Sequence, residues 1–207
     1  MSSCKEDVEI WDSNTLGYSG TYFWQLYSEN GEDLYTDYDN DVQLMIYNTA
    51  ANAENEVWIE DLDGQFPLKS KFSFTGNSES FTSKTTDFAS LENNVSAIEV
   101  PGADPTALNE ATTEDREYIR AYVLDGKILP SAATTISGSA VDSIYIKLTL
   151  LSGTVSFKSY SVPVDKRKDP EVEQFEWKYE SATYDNTLDE SYIISGHRKT
   201  GFPEDDH

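Results

Sequence analysis

The sequence predicts an all-β protein, and three features of its pattern support this prediction. Short runs rich in β-branched and aromatic residues alternate between apolar and polar positions, as expected for strands with one buried face. Turn-forming pairs such as Asn30-Gly31 and Asp63-Gly64 separate these runs. Helical periodicity is scarce. About eight to ten strands at such short spacing indicate a closed antiparallel barrel or a sandwich.

The predicted strands follow one another along most of the chain. They are Thr21–Tyr27, Val42–Tyr47, Glu56–Glu60, Lys69–Phe74, Tyr118–Leu124, Val141–Leu150, Thr154–Tyr160, Phe175–Tyr179 and Tyr192–Lys199. Because Ser152-Gly153 lies between two long runs, we expect it to be the turn of a hairpin over Val141–Tyr160. Asp125-Gly126 is similarly expected to lead into a short strand at Lys127–Leu129.

Two segments are candidates for one or two short helices. Thr49–Glu54 is rich in alanine, and Asp104–Glu117 contains a potential helix cap at Thr112. Neither segment carries the wide apolar stripe of a long surface helix.

The chain is expected to form one domain behind an unpatterned start. Its length of 207 residues suits a single all-β domain. Residues 1–16 lack any strand pattern, so we assign them to a tether and residues 17–207 to the β-barrel domain. Pro203–His207 is expected to be a frayed acidic tail.

The composition indicates a folded body with an acidic surface. Its 38 acidic and 15 basic residues give a formal charge of -23, which disfavours direct contact with nucleic acid or anionic bilayers. Thirteen Tyr, nine Phe and four Trp argue against disorder, because so much aromatic surface needs a core. A single cysteine excludes an intramolecular disulfide.

That cysteine, Cys4, is the strongest indication of location. Small residues precede it, and Lys5-Glu6-Asp7 follows it. This resembles the start of a processed lipoprotein, and the Lys-acidic-acidic run resembles the signal that sends Bacteroidetes lipoproteins to the cell surface. We therefore expect lipidation at Cys4 and an outer-membrane, cell-surface location, with the lipid as the sole membrane contact. The alternative is an exposed free thiol. No run of about 18 apolar residues predicts a transmembrane helix.

Several stretches together resemble a known family. They are Met45–Asn52, Glu56–Ile59, Phe66–Phe74 and Ser195–Phe202. With the lipoprotein-like start, they are similar to Bacteroidetes surface proteins described as lipid-binding putative hydrolases. The resemblance spans nearly all of the chain after residue 16. It implies a calycin-like, lipocalin-type β-barrel and an apolar ligand, but the residues of this chain supply no hydrolase motif.

A ligand cavity inside the barrel is the leading functional hypothesis. An eight-stranded barrel has an interior just large enough for one small ligand. Inward-facing aromatic residues would line it, and the candidates are Tyr22, Trp24, Phe72, Phe74, Phe157 and Trp177. The alternative is that these rings simply fill the core. Abundant tyrosine also fits a surface glycan-binding or scaffold component of a nutrient-uptake system.

Catalytic signals are weak. A Ser–His–Asp triad needs a histidine, and the sequence offers only His197 and His207. The segment Gly76–Ser80 departs from the Gly-x-Ser-x-Gly elbow at its last position. His197 is the weak catalytic candidate, with a structural role as the simpler interpretation. Paired carboxylates could hydrolyse glycosides, but so acidic a chain singles out no pair. A non-enzymatic binder is the favoured interpretation.

Metal and cofactor signals are weaker still. Asp37, Asp39 and Asp41 alternate as in the first half of a calcium-binding EF-hand loop. The sixth loop position is Val42 and the twelfth is Asn48, where glycine and glutamate are required, so these aspartates are only weak candidates. No Gly-rich phosphate loop occurs, and no cofactor is expected.

Overall fold

The computed structural model describes residues 13–91 and 98–207, and in these residues the protein is all-β. Ten strands follow one another along the chain. They are β1 (Gly20–Ser28), β2 (Leu34–Thr36), β3 (Gln43–Asn48), β4 (Glu56–Asp61), β5 (Lys69–Asn77), β6 (Ser80–Ser83), β7 (Ala111–Thr134), β8 (Ala140–Ser161), β9 (Phe175–Tyr184) and β10 (Glu190–Arg198).

The strands close into a ring of antiparallel neighbours. The order is β10-β1-β3-β4-β5-β6-β7-β8, and β8 pairs again with β10. Strand β2 pairs with the second half of β1, beyond the part that pairs with β3. Strand β9 pairs with β8 outside the ring. This arrangement confirms the predicted antiparallel barrel and is that of a calycin-like fold.

The ring encloses the main hydrophobic core. Alternate side chains of each strand point inward and are buried, because the period of a strand is two residues. β1 contributes Tyr22, Trp24 and Leu26, and every other strand of the ring adds aliphatic or aromatic side chains. Burial of this apolar surface is the main stabilising contribution in a chain without a disulfide.

Strands β7 and β8 continue beyond the ring and carry a second, smaller core. Phe88, Ile119, Leu151, Val155 and Phe157 form this cluster. Trp177 and Tyr179 of β9 pack against it, because β9 pairs with the outer half of β8 from Gly153 to Ser161.

The predicted hairpin turn at Ser152-Gly153 is wrong, because β8 runs through it without interruption. Gly153 pairs across to Tyr184, and a Cβ there would lie 2.2 Å from the carbonyl oxygen of Thr183. The predicted turn at Asp125-Gly126 is also wrong. Gly126 lies within β7, where a Cβ would lie 2.4 Å from the Phe81 ring. Both glycines permit close packing rather than chain reversal.

Both predicted helices are wrong as well. Thr49–Glu54 lies in the connection between β3 and β4, where the Asn52 N–H donates to the Thr49 carbonyl oxygen at 2.9 Å. Asp104–Glu117 begins as turns and enters β7 at Ala111. Helical structure in the described residues consists of 3-10 turns at Phe88–Ser90, Val164–Lys166, Asn186–Leu188 and Pro203–Asp205. No helix within residues 13–91 and 98–207 is long and apolar enough to cross a membrane.

The ring has one end that the N-terminal turn covers, which we call the closed end. Tyr18 packs there against Phe74 and Phe81, with ring centroids 4.6 and 5.3 Å away. The Tyr22 hydroxyl donates to the Tyr18 carbonyl oxygen at 3.1 Å, and Thr15 is fully buried. Residues 1–12 of the predicted tether, Cys4 among them, lie outside the described residues, so the division at residue 16 stays a prediction.

Candidate ligand-binding site

The structure separates the six predicted ligand-binding residues into two groups. Four of them lie together in the interior of the ring and are fully buried: Tyr22, Trp24, Phe72 and Phe74. Phe157 and Trp177 belong to the second core, because the outer half of β8 and all of β9 lie beyond the ring. Only the first group can line a site inside the barrel.

The interior contains two polar atoms that have no hydrogen-bond partner in the part of the chain that the structure describes. The Trp24 Nε1–H and the Ser70 hydroxyl are buried and make no hydrogen bond to any described residue. A buried polar group left unpaired costs roughly 1–3 kcal/mol, so most buried groups find a partner. These two atoms are therefore places where a polar atom of a bound molecule would gain a hydrogen bond.

A chain of aromatic rings connects the interior to the surface at the end opposite the closed end, which we call the rim. Trp24 is 6.1 Å from Phe66, Phe66 is 5.0 Å from Tyr192, and Tyr192 is 6.1 Å from Tyr35, measured between ring centroids. The solvent-exposed fraction of the residues rises along this series of rings, from 0% at Trp24 and 4% at Phe66 to 60% at Tyr35. The apolar interior thus reaches solvent along a path of rings.

Phe66 occupies the middle of this path and belongs to the connection between β4 and β5. Its backbone N–H donates to Oδ2 of Asp61 at 2.5 Å, and the Asp63 N–H donates to Oδ1 of the same carboxylate at 3.2 Å. Asp61 is itself buried, and this burial raises the pKa of its carboxyl above the ordinary value. The loop that holds Phe66 over the interior therefore depends on one buried carboxylate.

Glu190 lies at the rim with two tyrosines. The hydroxyls of Tyr118 and Tyr192 both donate to Oε2 of Glu190, and the two hydroxyl oxygens lie 3.2 Å apart. Burial, reinforced by Glu190, raises the pKa of Tyr192 to about 12 and moves the pKa of Tyr118 upward as well. Both phenols are therefore neutral donors at physiological pH, and Glu190 is exposed.

Four residues of this site were not predicted from the sequence: Phe66, Tyr118, Glu190 and Tyr192. Tyr192 could have been found, because it stands two residues before the inward-facing Ile194 in β10. Tyr118 could not, since it lies at a break in the β7–β8 register with a φ of 57°. This irregularity places Tyr118 against the main core and its neighbour Ile119 in the second core.

His197, the weak catalytic candidate, is buried outside the ring interior. Its Nε2 lies 2.9 Å from Nε2 of His207, and its Nδ1 lies 3.3 Å from the carbonyl oxygen of Arg198. The rings of Phe23 and Tyr38 pack around it at 5.8 and 5.4 Å. Among the described residues, no serine and no carboxylate bonds to either ring nitrogen, so this geometry is that of a packed histidine pair.

The C-terminal tail that brings His207 to this place is not frayed, which corrects the sequence prediction. Asp205 is 2% exposed, and its carboxylate accepts from the Ser137 N–H at 2.9 Å and the Thr200 hydroxyl at 2.8 Å. Hydrogen bonds from Thr135 and Ser137 hold the pKa of Asp205 well below its usual range. Several charge-assisted hydrogen bonds therefore fix the tail to the barrel.

The weak metal candidates Asp37, Asp39 and Asp41 make local hydrogen bonds. Asp37 accepts from the Gln25 side chain at 2.6 Å, which lowers the pKa of its carboxyl, and Asp39 accepts from the Asp41 N–H at 2.9 Å. Within the described part of the chain, no three His, Cys, Asp or Glu side chains are grouped so that they could hold a metal ion.

The ring topology and the apolar interior define a calycin-like barrel protein. The chain belongs to the family described as "Lipid-binding putative hydrolase", whose model matches residues 7–203. This match confirms the family resemblance inferred from the sequence, and it makes an apolar ligand the family-level expectation. No curated protein matches the chain. The Bacteroidetes origin and the lipid anchor stay predictions.

Proposed function

We propose that the protein binds a small apolar or amphipathic molecule in the barrel, at the rim and in the space that Phe66 now fills. The observation that carries this proposal is the Trp24 Nε1–H, which is buried in an apolar interior and has no hydrogen-bond partner in residues 13–91 and 98–207. Aromatic rings connect it to the surface. Such a site combines a large apolar area with a few polar groups that orient the ligand.

The energetics favour an exchange between Phe66 and the ligand. Buried apolar surface contributes about 25 cal/mol per Å², and a ligand tail that replaces the Phe66 ring would restore the contacts that the ring gives up. A ligand hydroxyl or carbonyl near Trp24 would also satisfy its indole N–H. Phe66 lies in a loop rather than in a strand, so it can move without breaking the ring.

Tryptophan fluorescence tests this proposal, with dodecanol as the probe. Trp24 lies inside the ring, whereas Trp58 is partly exposed and stacks on Tyr47, with 6.5 Å between ring centroids. Wild type and Trp58→Phe should both show a saturable emission change, and Trp24→Phe should lose it. The proposal is wrong if dodecanol does not bind, or if Trp24→Phe keeps the signal and Trp58→Phe loses it.

We do not propose hydrolysis as the function, although the family description includes it. Both ring nitrogens of His197 already face protein atoms. If His197 were catalytic, ester turnover in the wild type would disappear in His197→Ala while the thermal unfolding of the variant stayed cooperative. If the wild type hydrolyses no ester or glycoside, this result supports the binding function.

Glycan binding is a second candidate function, and one observation favours it. Tyr47 and Trp58 are partly exposed and nearly parallel, with 17° between their ring planes. Beside them, Glu60 accepts from the Tyr47 hydroxyl and from Lys69, each at 2.7 Å. Rings with flanking polar groups can stack on a sugar. This alternative would be supported if the wild type and Trp24→Phe bind to a glycan array and Trp58→Ala does not.

We also propose that acylated Cys4 anchors the protein at the outer surface of an outer membrane. The support is the sequence around Cys4, with small residues before it and Lys5-Glu6-Asp7 after it. Metabolic labelling with a radioactive fatty acid should mark the wild type and not Cys4→Ser. External protease should degrade the labelled protein on intact cells. A label that persists in Cys4→Ser contradicts the anchor.

A further inference from the structure

We propose that the preferred ligand is an amphipathic amine, whose ammonium group is held at the rim by Glu190 and its surrounding tyrosines. This inference rests on the proposed function, since the apolar tail would occupy the interior path from Tyr192 past Phe66 to Trp24. It adds the chemical class of the head group, which neither the fold nor the family description specifies.

Only half of the Glu190 carboxylate is used by side chains of the described residues. Tyr118 and Tyr192 both donate to Oε2, and no side chain among the described residues donates to Oε1. Glu190 also forms no ion pair within residues 13–91 and 98–207. An exposed carboxylate oxygen that lacks a donor, next to an apolar path, is suited to an N–H of a cation.

A group of aromatic rings lies around this carboxylate. Tyr192 packs against Tyr35 at 6.1 Å with a 75° angle between the ring planes, and Tyr118 joins them through its hydroxyl contact to Tyr192. Tyr35 is largely exposed, so its ring is available to a ligand. Rings beside an anion favour a desolvated ammonium group through cation–π attraction.

The charge of the surroundings favours a cationic ligand over an anionic one. Lys147 lies one residue before Leu148, which pairs with Tyr192, but Lys147 forms a salt bridge with Glu29 at 3.2 Å. It therefore does not neutralise Glu190. A fatty-acid carboxylate at this place would face Glu190 on a chain of formal charge -23, which is unfavourable. A protonated amine is attracted both by Glu190 and by the negative net charge of the chain.

The experiment compares three ligands that share a twelve-carbon tail: dodecylamine, dodecanol and dodecanoate. Each is used below its solubility limit, and the two ionic ligands are also used below micelle formation. Calorimetric titration at pH 7 should rank them in that order, with dodecylamine about tenfold tighter than dodecanol, as expected for one charge-assisted hydrogen bond with ring contacts. In Glu190→Gln the amine should lose this advantage and bind only as tightly as dodecanol binds to the same variant.

Glu79→Gln is the matched control. Glu79 lies in the turn between β5 and β6 at the closed end. Its substitution by glutamine removes the same formal charge as Glu190→Gln does. It should keep the preference for the amine, which separates a local contact from general attraction to an acidic protein. The inference fails if wild type binds dodecanol and dodecylamine equally, or if Glu190→Gln keeps the preference, and in both cases the proposed barrel function stands. If none of the three ligands binds, the proposed function fails as well.

Discussion

Phe66→Ala tests whether the ring of Phe66 controls entry to the barrel. The side chain is buried between Trp24 and Tyr192, and large-to-small changes of buried phenylalanine cost roughly 3–5 kcal/mol. We expect about 3 kcal/mol of lost unfolding free energy, because a loop can collapse partly into the space. Urea denaturation measures this loss. The association rate of an apolar fluorescent probe, followed by stopped flow, should rise, since the probe no longer waits for the ring to move.

Leu68→Ala is the control for this prediction. Leu68 is buried in the same connection and belongs to the main core, but it is not one of the aromatic side chains that connect Trp24 to the rim. It should lose roughly 2–5 kcal/mol of stability without a faster association. The reasoning is refuted if Phe66→Ala leaves the association rate unchanged, or if both variants accelerate it equally, since general loosening would then explain the effect.

Two further changes test the packing and the tail. Gly126→Ala should lower the unfolding free energy by about 1–3 kcal/mol, because the new methyl group would meet the Phe81 ring, whereas Gly102→Ala, with open space around it, should be nearly neutral in urea denaturation. Burial and His197 lower the pKa of His207, so the unfolded state takes up the proton more readily, and the stability that this group contributes above about pH 6.5 should be lost as the pH falls below it. Protection factors for amide hydrogen exchange in the C-terminal tail, which correct for the intrinsic pH dependence of exchange, should therefore be lower at pH 5 than at pH 7.5, and equal protection at the two pH values would contradict the sign of this shift.

The positions of most strands could be predicted, because alternation of apolar and polar residues directly reflects a two-residue period. β1 and β10 are clear cases, with Tyr22, Trp24 and Ile194 inward as the pattern implies. The exceptions are β2 and β6, which span three and four residues. Such short segments carry too few alternations to separate them from loops.

The continuity of β7 and β8 could not be predicted, because glycine has two uses in a β protein. Ser152-Gly153 has the composition of a hairpin turn, yet Gly153 is there to let Thr183 approach. The sequence shows the glycine at position 153, but it does not show that the backbone of Thr183 packs against it. Phe157 and Trp177 were predicted to face the interior because every strand was assumed to belong to the barrel, whereas the outer part of β8 and all of β9 lie beyond the ring.

The candidate site could be predicted only in part for a related reason. Trp24 and Phe72 follow from strand parity. The rim depends on contacts between segments far apart in the chain, such as Tyr118 with Glu190. The register break at Tyr118 and the loop placement of Phe66 depend on tertiary packing, which no local pattern encodes.

The central claim is that the barrel holds a small apolar or amphipathic molecule, and native mass spectrometry tests it most directly. The folded chain would be exposed to a total lipid extract, separated from excess lipid and transferred intact, with a lipocalin of known ligand loaded in parallel. We expect a single discrete mass increment in the wild type. The increment should be lost in Trp24→Asp, which puts a charge into the interior, once that variant is shown to remain folded. A clean ligand-free spectrum beside a loaded control, or an increment that persists in that variant, would contradict it.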